Sequence, residues 1–359
     1  MTKKDVVSRV AAMGLLAGTL ILQQGGTGQA QVPAVGSPPG DMGPAWSPTG
    51  ELIAFDSTRD LKPEIYVMNT DGTAQRQLTT SAVGMSSSSP AWSPDGRRIA
   101  FVTGSMGGSQ IFIMNADGSG QKLLASGRFN SSPAWAPEGR RIAFISNRTG
   151  SEGVYVIPAE GGDPVLLTSE FPFILGFSWS PDGVRLVLAG ENSETETMPG
   201  SFPFPVLPVF KEQSVVEVVY ASGRNHTTIL RDAVWDSDPA WSPDGRRIAF
   251  ESAGAIYAVN PDGSGRVQLT PREENSRPVW SPDARRIAFA SFHDRKWQIF
   301  VMNADGSGRL HLNGPGEGDS PAWSPDGRRI VYSSKRGERW QLYSVNADGT
   351  GDTKLTEGY

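Results

Sequence analysis

The amino-acid sequence predicts an all-β protein, a seven-bladed β-propeller of four-stranded antiparallel blades, on three observations. The stretch "PAWSPDGRRIA" occurs word for word at 90–100 and 239–249, and "PAWSPDGRRI" returns at 321–330. Its tryptophan recurs at Trp46, Trp92, Trp135, Trp179, Trp241, Trp280 and Trp323, with spacings of 46, 43, 44, 62, 39 and 43. Between these marks the apolar runs are short, β-branched and aromatic, and are bounded by turn residues, as strands are.

Each unit spells four strands in order. Strand A is the "PAW" run and strand B is "RRIAF". Strand C is "IYVMN" or "QIFVMN", and strand D is "RQLT" or "VQLT". Between A and B stands "SPDG", where proline pre-sets φ for a type I turn and glycine takes the left-handed position that closes the hairpin with a bulge. "NADG" at 115–118, 303–306 and 346–349 does the same between C and D, as do "NTDG" and "NPDG". The tryptophan supplies bulk to fill the wedge between neighbouring blades. In the sixth unit Ala284 replaces the glycine, which predicts either a strained left-handed alanine or a different turn. "DGSG" lacks the aspartate-rich loop and terminal glutamate of a calcium site, so these turns read as architecture. The arginine pairs, such as Arg97–Arg98 and Arg246–Arg247, read as a solvated or salt-bridged rim.

Lys3, Lys4 and Arg9, the apolar run 10–22 and the small residues ending at Ala30 predict an export signal over 1–30. A Pro/Gly-rich linker follows at 31–43, too irregular to supply a strand, and the propeller occupies 44–359. Loss of the signal takes the net charge from −5 to about −7, which argues against a nucleic-acid partner. No second long apolar run predicts a membrane span in the mature chain. The absence of cysteine excludes disulfides, a thiolate nucleophile and zinc–cysteine sites.

The "PAWSPDG–RIAF–IYVMNADG–LT" pattern resembles the β-propeller repeats of TolB, the periplasmic component of the Tol–Pal system, and related repeats occur in prolyl oligopeptidases and dipeptidyl peptidases. The resemblance covers 44–356 and implies a propeller in a periplasmic or secreted protein. TolB itself has six blades and an α/β domain before them. Seven units are counted here, and about a dozen residues lie between Ala30 and the first blade.

In a propeller the constant A–B and C–D turns share one face, while the B–C loops and D–A connections share the other. The second face carries what varies, so binding is expected there, at the channel mouth. The enlarged fourth unit contributes a Pro/Phe-rich insert at 191–213 with Phe202, Phe204 and Phe210, kept out of a central strand by its prolines. The apolar connection 168–177 holds Phe171 and Phe173, which either bury the insert as a lid or form with it an exposed patch. Asp41, Asn130, Asp236, Asp238, Glu273, Glu274, Asn275, Glu317 and Asp319 fall near the inner mouth, read as a solvated rim or as a site for a cation or basic peptide. The loops 291–298 and 333–341 add His293, Arg295 and Arg336 beside Trp297 and Trp340, the tryptophans expected between blades.

The three histidines fall in different loops and strands and there is no "G-x-S-x-G" elbow, so neither a histidine-held metal nor a serine nucleophile is expected. Asp236 with Glu274 leaves a carboxylate pair open as the basis of a glycan- or peptide-cleaving alternative. The expectation is a monomeric, non-enzymatic scaffold that binds a protein or peptide in the cell envelope, with no cofactor and no metal. Neither ring closure by strand exchange between the ends nor a catalytic residue is expected.

Overall fold

The computed structural model describes residues 40–168, 171–197, 208–232 and 235–357. These form seven four-stranded antiparallel sheets, each with its strands in chain order. The blades run Asp41–Gln77, Ser86–Ala125, Asn130–Thr168, Phe173–Asp232, Asp236–Gln268, Asn275–His311 and Glu317–Lys354. The A strands face the axis, where neighbouring blades meet.

The turn chemistry forms as its residues dictate. In the second blade Gly96, at φ 69°, donates its N–H to Ser93 O at 2.8 Å, and Ser93 N closes on Arg98 O at 2.8 Å. The Ser93 hydroxyl adds a bond to Asp95 at 2.6 Å. Ala284 keeps the same turn, with N–H to Ser281 O at 2.9 Å, and does so at φ 57°. Of the two expected outcomes, the strained left-handed alanine is the one found, at a cost of about 1–2 kcal/mol.

The core is divided among the interfaces between blades. Ala54, Ile65 and Val67 of blade 1, for example, bury against Trp92, Ile99 and Phe101 of blade 2. Each motif tryptophan also hydrogen-bonds across its seam: the Trp92 indole N–H donates to Ala45 O at 3.1 Å and that of Trp135 to Ala91 O at 3.0 Å. Trp46, Trp179, Trp280 and Trp323 repeat the bond. Trp241 is the exception, its buried indole nitrogen having no hydrogen-bond partner among the described residues. The preceding A strand is the one that departs from the motif, reading "GFSW" with Phe177 and Ser178 in place of proline and alanine, and its bulge falls at Ile174/Gly176. Trp92→Phe should therefore cost about 1 kcal/mol more than Trp241→Phe, because only the first leaves a buried carbonyl without its donor. Urea unfolding of the two variants measures the difference, and equal losses would contradict it.

The arginine pairs are not a uniform solvated rim. The first of each pair is exposed, but the second lies over the tryptophan of the next blade, as Arg98 does over Trp135 at 4.8 Å and Arg247 over Trp280 at 5.0 Å. Most also reach a carbonyl there, such as Arg141 to Gly183 O at 2.7 Å.

Among the described residues the ring closes without strand exchange: the first and last sheets are each built from contiguous chain. Trp46 and Phe55 bury against Val331 and Leu342, the Trp46 indole bonds Ala322 O at 3.1 Å, and Gln75 bonds Leu355 O at 3.1 Å. Contrary to the reading of 31–43 as too irregular for a strand, its last residues take part. Asp41 opens the first A strand, Asp41–Trp46, and its N–H donates to Trp340 O at 2.9 Å.

The fourth blade is enlarged by lengthening its central hairpin. Strands Arg185–Thr197 and Pro208–Tyr220 pair without interruption from Arg185↔Tyr220 to Thr197↔Pro208. Much of the insert 191–213 is thus regular ladder, which corrects its reading as an extended loop. Pro208 is tolerated because it stands first in its strand.

Candidate functional site: the channel mouth

The A strands bend at a bulge that puts one left-handed residue immediately before the motif proline. Ser89, Ser132, Asp238, Arg277 and Ser320 take φ between 50° and 58° there, and Gly43 takes the same position in blade 1 at φ 58°. The bulge breaks the two-residue alternation of the strand, so residues on both sides of it reach the channel. Blades 1 to 3 contribute glycine and serine to this ring. Blades 5 to 7 contribute Asp238, Arg277 and Ser320 with its neighbour Asp319, so the charge is confined to one arc.

The Arg277 guanidinium contacts both Asp319 oxygens at 2.5 Å and Ser320 Oγ at 3.1 Å. Its desolvation is outweighed by Asp319 and Asp238, which hold its pKa above the ordinary value. Burial raises the Asp238 carboxyl, opposed by Arg277. Behind Asp238, Glu251 accepts the Ser237 hydroxyl at 2.8 Å and the Gly254 N–H at 2.7 Å. Burial pushes Glu251 up to about 7, with Asp238 and Asp236 adding to the rise. Asp56 holds the equivalent position in blade 1, where it accepts the Ser89 N–H at 3.0 Å and is raised to about 7 by burial.

These two carboxyls give the ring a pH dependence of definite sign. A carboxyl whose folded pKa lies above its unfolded value stabilises fully below the unfolded value, and the contribution is lost as pH rises through the folded one. Stability should thus fall between about pH 4 and pH 8 from these groups. Asp56→Asn and Glu251→Gln, which keep the acceptor for Ser89 or Gly254, should each raise stability at about pH 8 by about 1–3 kcal/mol, with the gain vanishing near pH 4. Unfolding curves at both pH values decide it; a gain independent of pH would refute it.

The residues singled out from the sequence do not form one constellation. Phe202 and Phe204 lie outside the described residues, and Phe210 is described only through its backbone, paired with Thr195. Phe171 is fully buried with Val154, Val156 and Leu188, and its ring lies so close to Gly190 that a Cβ there would be 2.8 Å away. Phe173 is 40% exposed and pairs with Glu191 at the foot of the long hairpin.

Asp238 joins the charged arc. Asp236 is fully buried, with its N–H on Ser214 Oγ at 2.9 Å, which removes it from a solvent-facing pair with the half-buried Glu274. Asp41, Asn130, Asn275 and Asp319 are likewise buried and serve as anchors: Asn275, for instance, donates to Gly254 O and to Pro271 O at 2.8 Å. The solvated-rim reading does not hold for these positions.

His293 is half-buried beside Arg309 at 3.1 Å, with Glu273 at 3.8 Å, on blade 6. Arg295 is exposed in the two-residue turn that follows. Arg336 turns to the outer edge of blade 7, bonded to Asp352 at 2.5 Å and to Tyr332 Oη at 2.7 Å and stacked on Tyr343 at 3.6 Å. Trp297 packs partly buried against the core between blades 6 and 7, as expected, and Trp340 is buried, its carbonyl accepting the Asp41 N–H of blade 1.

Sequence reasoning missed Asp56, Glu251 and Arg277. The first two carry a usable signal: they follow "IAF" where other blades have Val102, Ile145 or Ala290. A charge at an otherwise apolar position of a repeat marks a departure from architecture. No group of three or more His, Cys, Asp or Glu suited to a metal occurs among the described residues, and no described helix is long and apolar enough to cross a membrane.

Comparison with known proteins places this geometry. No curated protein matches the sequence. Solved structures share the fold at low identity. The propeller domain of the Trilobed protease from Pyrococcus furiosus, described as having an open velcro topology, is 15% identical with a TM-score of 0.62, covering 89% of this chain and 96% of that one. Oligogalacturonate lyase from Vibrio parahaemolyticus is 16% identical with a TM-score of 0.58, covering 74% and 76%. TolB from Acinetobacter baumannii is 19% identical with a TM-score of 0.53, covering 85% and 77%. The family model of the TolB β-propeller domain matches residues 21–200 and 210–358, nearly the whole ring, and the chain belongs to that family.

Proposed function

We propose that the protein is an exported scaffold of the cell envelope that binds a protein or peptide partner on its variable face, at the channel mouth. The observation that carries this reading is the blade-4 hairpin. Its strands pair for 13 residues each, against five to eight in the central strands of the other blades. At about 3.3 Å per residue it rises some 15–25 Å beyond its neighbours. A regular arm standing beside the mouth, with exposed Phe173 at its foot, offers an edge and an apolar foothold for an incoming segment. The charged arc of Asp238, Arg277 and Asp319 lies below it on the axis.

The membership of a TolB-type family supports the envelope location and the basic, apolar-cored start at 1–22 supports export. Asp319 of the arc is engaged by Arg277, and Glu251 behind it by Ser237 and Gly254, a structural use that favours recognition over catalysis.

Affinity capture tests the reading. The chain from residue 31 is used as bait on an envelope extract beside a variant in which 191–213 is replaced by a two-residue turn. A protein retained by the intact bait and at least about tenfold less by the trimmed one, and cross-linked from position 173, is the expected result. Equal retention by both baits, or none by either, would overturn the proposal.

A further inference from the structure

On the constant-turn face, away from the channel mouth, the seam between blades 4 and 5 departs from the five other seams that have an arginine at the head of strand B, blade 1 having Leu52 there. The arginine that begins strand B elsewhere bridges to the next blade: Arg247 donates to Ala304 O at 2.6 Å, Arg286 to Gly327 O at 2.9 Å and Ala347 O at 3.2 Å, and Arg329 to Thr70 O at 3.4 Å. Arg185 lies over Trp241 at 4.9 Å as its counterparts do. Yet its guanidinium makes no hydrogen bond among the described residues, its nearest carboxylate being Asp182 at 3.9 Å.

A second departure adjoins it. Strand C ends in asparagine in five blades, at 69, 115, 260, 303 and 346, and each folds its side chain onto the Ser or Thr of its own C–D turn. Blade 4 has Tyr220 there, directly paired with Arg185 in the ladder and 39% exposed.

These departures open a cleft of about 410 Å³ lined by Arg185, Tyr220 and Thr227 of blade 4 and by Asn260, Pro261 and Asp262 of blade 5. The volume lies within the range of small-molecule sites. Its lining carries one guanidinium and one carboxylate, the latter also accepting the Ser264 N–H and hydroxyl at 2.9 and 2.6 Å, so net charge selects neither an anion nor a cation. What remains is an aromatic face ringed by an amide, a hydroxyl and two charged groups able to share hydrogen bonds in pairs.

We propose that this cleft binds an uncharged saccharide, the sugar ring stacking on Tyr220 and its hydroxyls bonded by Arg185, Asn260 and Asp262. The cleft at the blade 6/7 seam, about 320 Å³ around Arg286, Asn346 and Asp348, has no aromatic residue in its lining and its arginine is already bonded, so it serves as an internal control.

Saturation-transfer NMR on the chain from residue 31 tests this with glucose, galactose, mannose and N-acetylglucosamine as probes, and acetate and methylammonium as charged competitors. Transfer to the ring protons of at least one sugar is expected. Tyr220→Ala and Arg185→Met should each weaken it about tenfold or more; Tyr220→Phe should retain most of it, and Asp348→Ala should change nothing. Thermal melts establish that each variant is folded, and Thr227→Val gives a second, milder probe of the same wall. Absence of transfer to all four sugars, transfer that survives both substitutions, or binding of acetate in place of any sugar would overturn the assignment. Because the two sites lie on opposite faces, either outcome here leaves the capture experiment independent.

Discussion

Arg277→Met is expected to destabilise the protein by about 3–5 kcal/mol at neutral pH, the range seen when one partner of a buried pair is removed. The reason lies in what is left behind. Arg277 and Asp319 side chains are 22% and 6% exposed, and the guanidinium is what keeps two carboxylates, Asp319 and Asp238, tolerable on one arc of the channel. Methionine fills much of the volume but leaves Asp319 charged and desolvated beside Asp238. The double variant Arg277→Met with Asp319→Asn should recover most of the loss, since the orphaned charge is gone. Denaturant unfolding of the single and double variants tests this as a cycle. A single-variant loss under about 1 kcal/mol would mean that the arc is wetter than its burial implies.

Trp46→Ala should cost about 3–5 kcal/mol and should do so in a particular place. Trp46 is the tryptophan of the closing seam, packed against Val331 and Leu342, bonded to Ala322 O and covered by Arg329 at 5.1 Å. Among the described residues no strand crosses this seam, so side chains and a few backbone bonds are what hold blades 1 and 7 together there. Hydrogen exchange should therefore quicken in blades 1 and 7 before blades 3 and 4, whereas Trp135→Ala should quicken blades 2 and 3 first. Uniform acceleration around the ring in both variants would show that the blades open as one unit instead.

The architecture was legible because it is repeated. "SPDG" and "NADG" impose the same turn at each occurrence, the tryptophan spacing counts the blades, and even Ala284 is held to the left-handed turn by its neighbours. The channel was not legible for an equally physical reason. Strand logic assigns alternate residues to alternate faces, and the bulge before each motif proline breaks that alternation where the wall is built. Asp238 and Arg277 reach the axis because they sit in the left-handed bulge, a position that a two-residue period cannot locate. The long hairpin misled in the opposite sense. Its prolines stand at 199, 203, 205 and 208, so they leave the ladder of 191–197 with 208–214 intact, while their density suggested that none would form. Arg336 looked like a free loop cation, and its engagement with Asp352 and Tyr343 depends on a contact made across the blade, which no local pattern announces.

The seam that closes without exchange also bears on how the molecule is made. Every blade is complete within one uninterrupted stretch of chain, so each can assemble as soon as its own residues have emerged, in order from the first to the last. Contacts of long sequence separation are concentrated in one step, the docking of the seventh blade on the first, and such contacts are what slows folding. Refolding should accordingly show an early phase that builds sheet and a slower one that buries Trp46. A chain delivered end-first across a membrane could close each described blade on its own residues as they arrive.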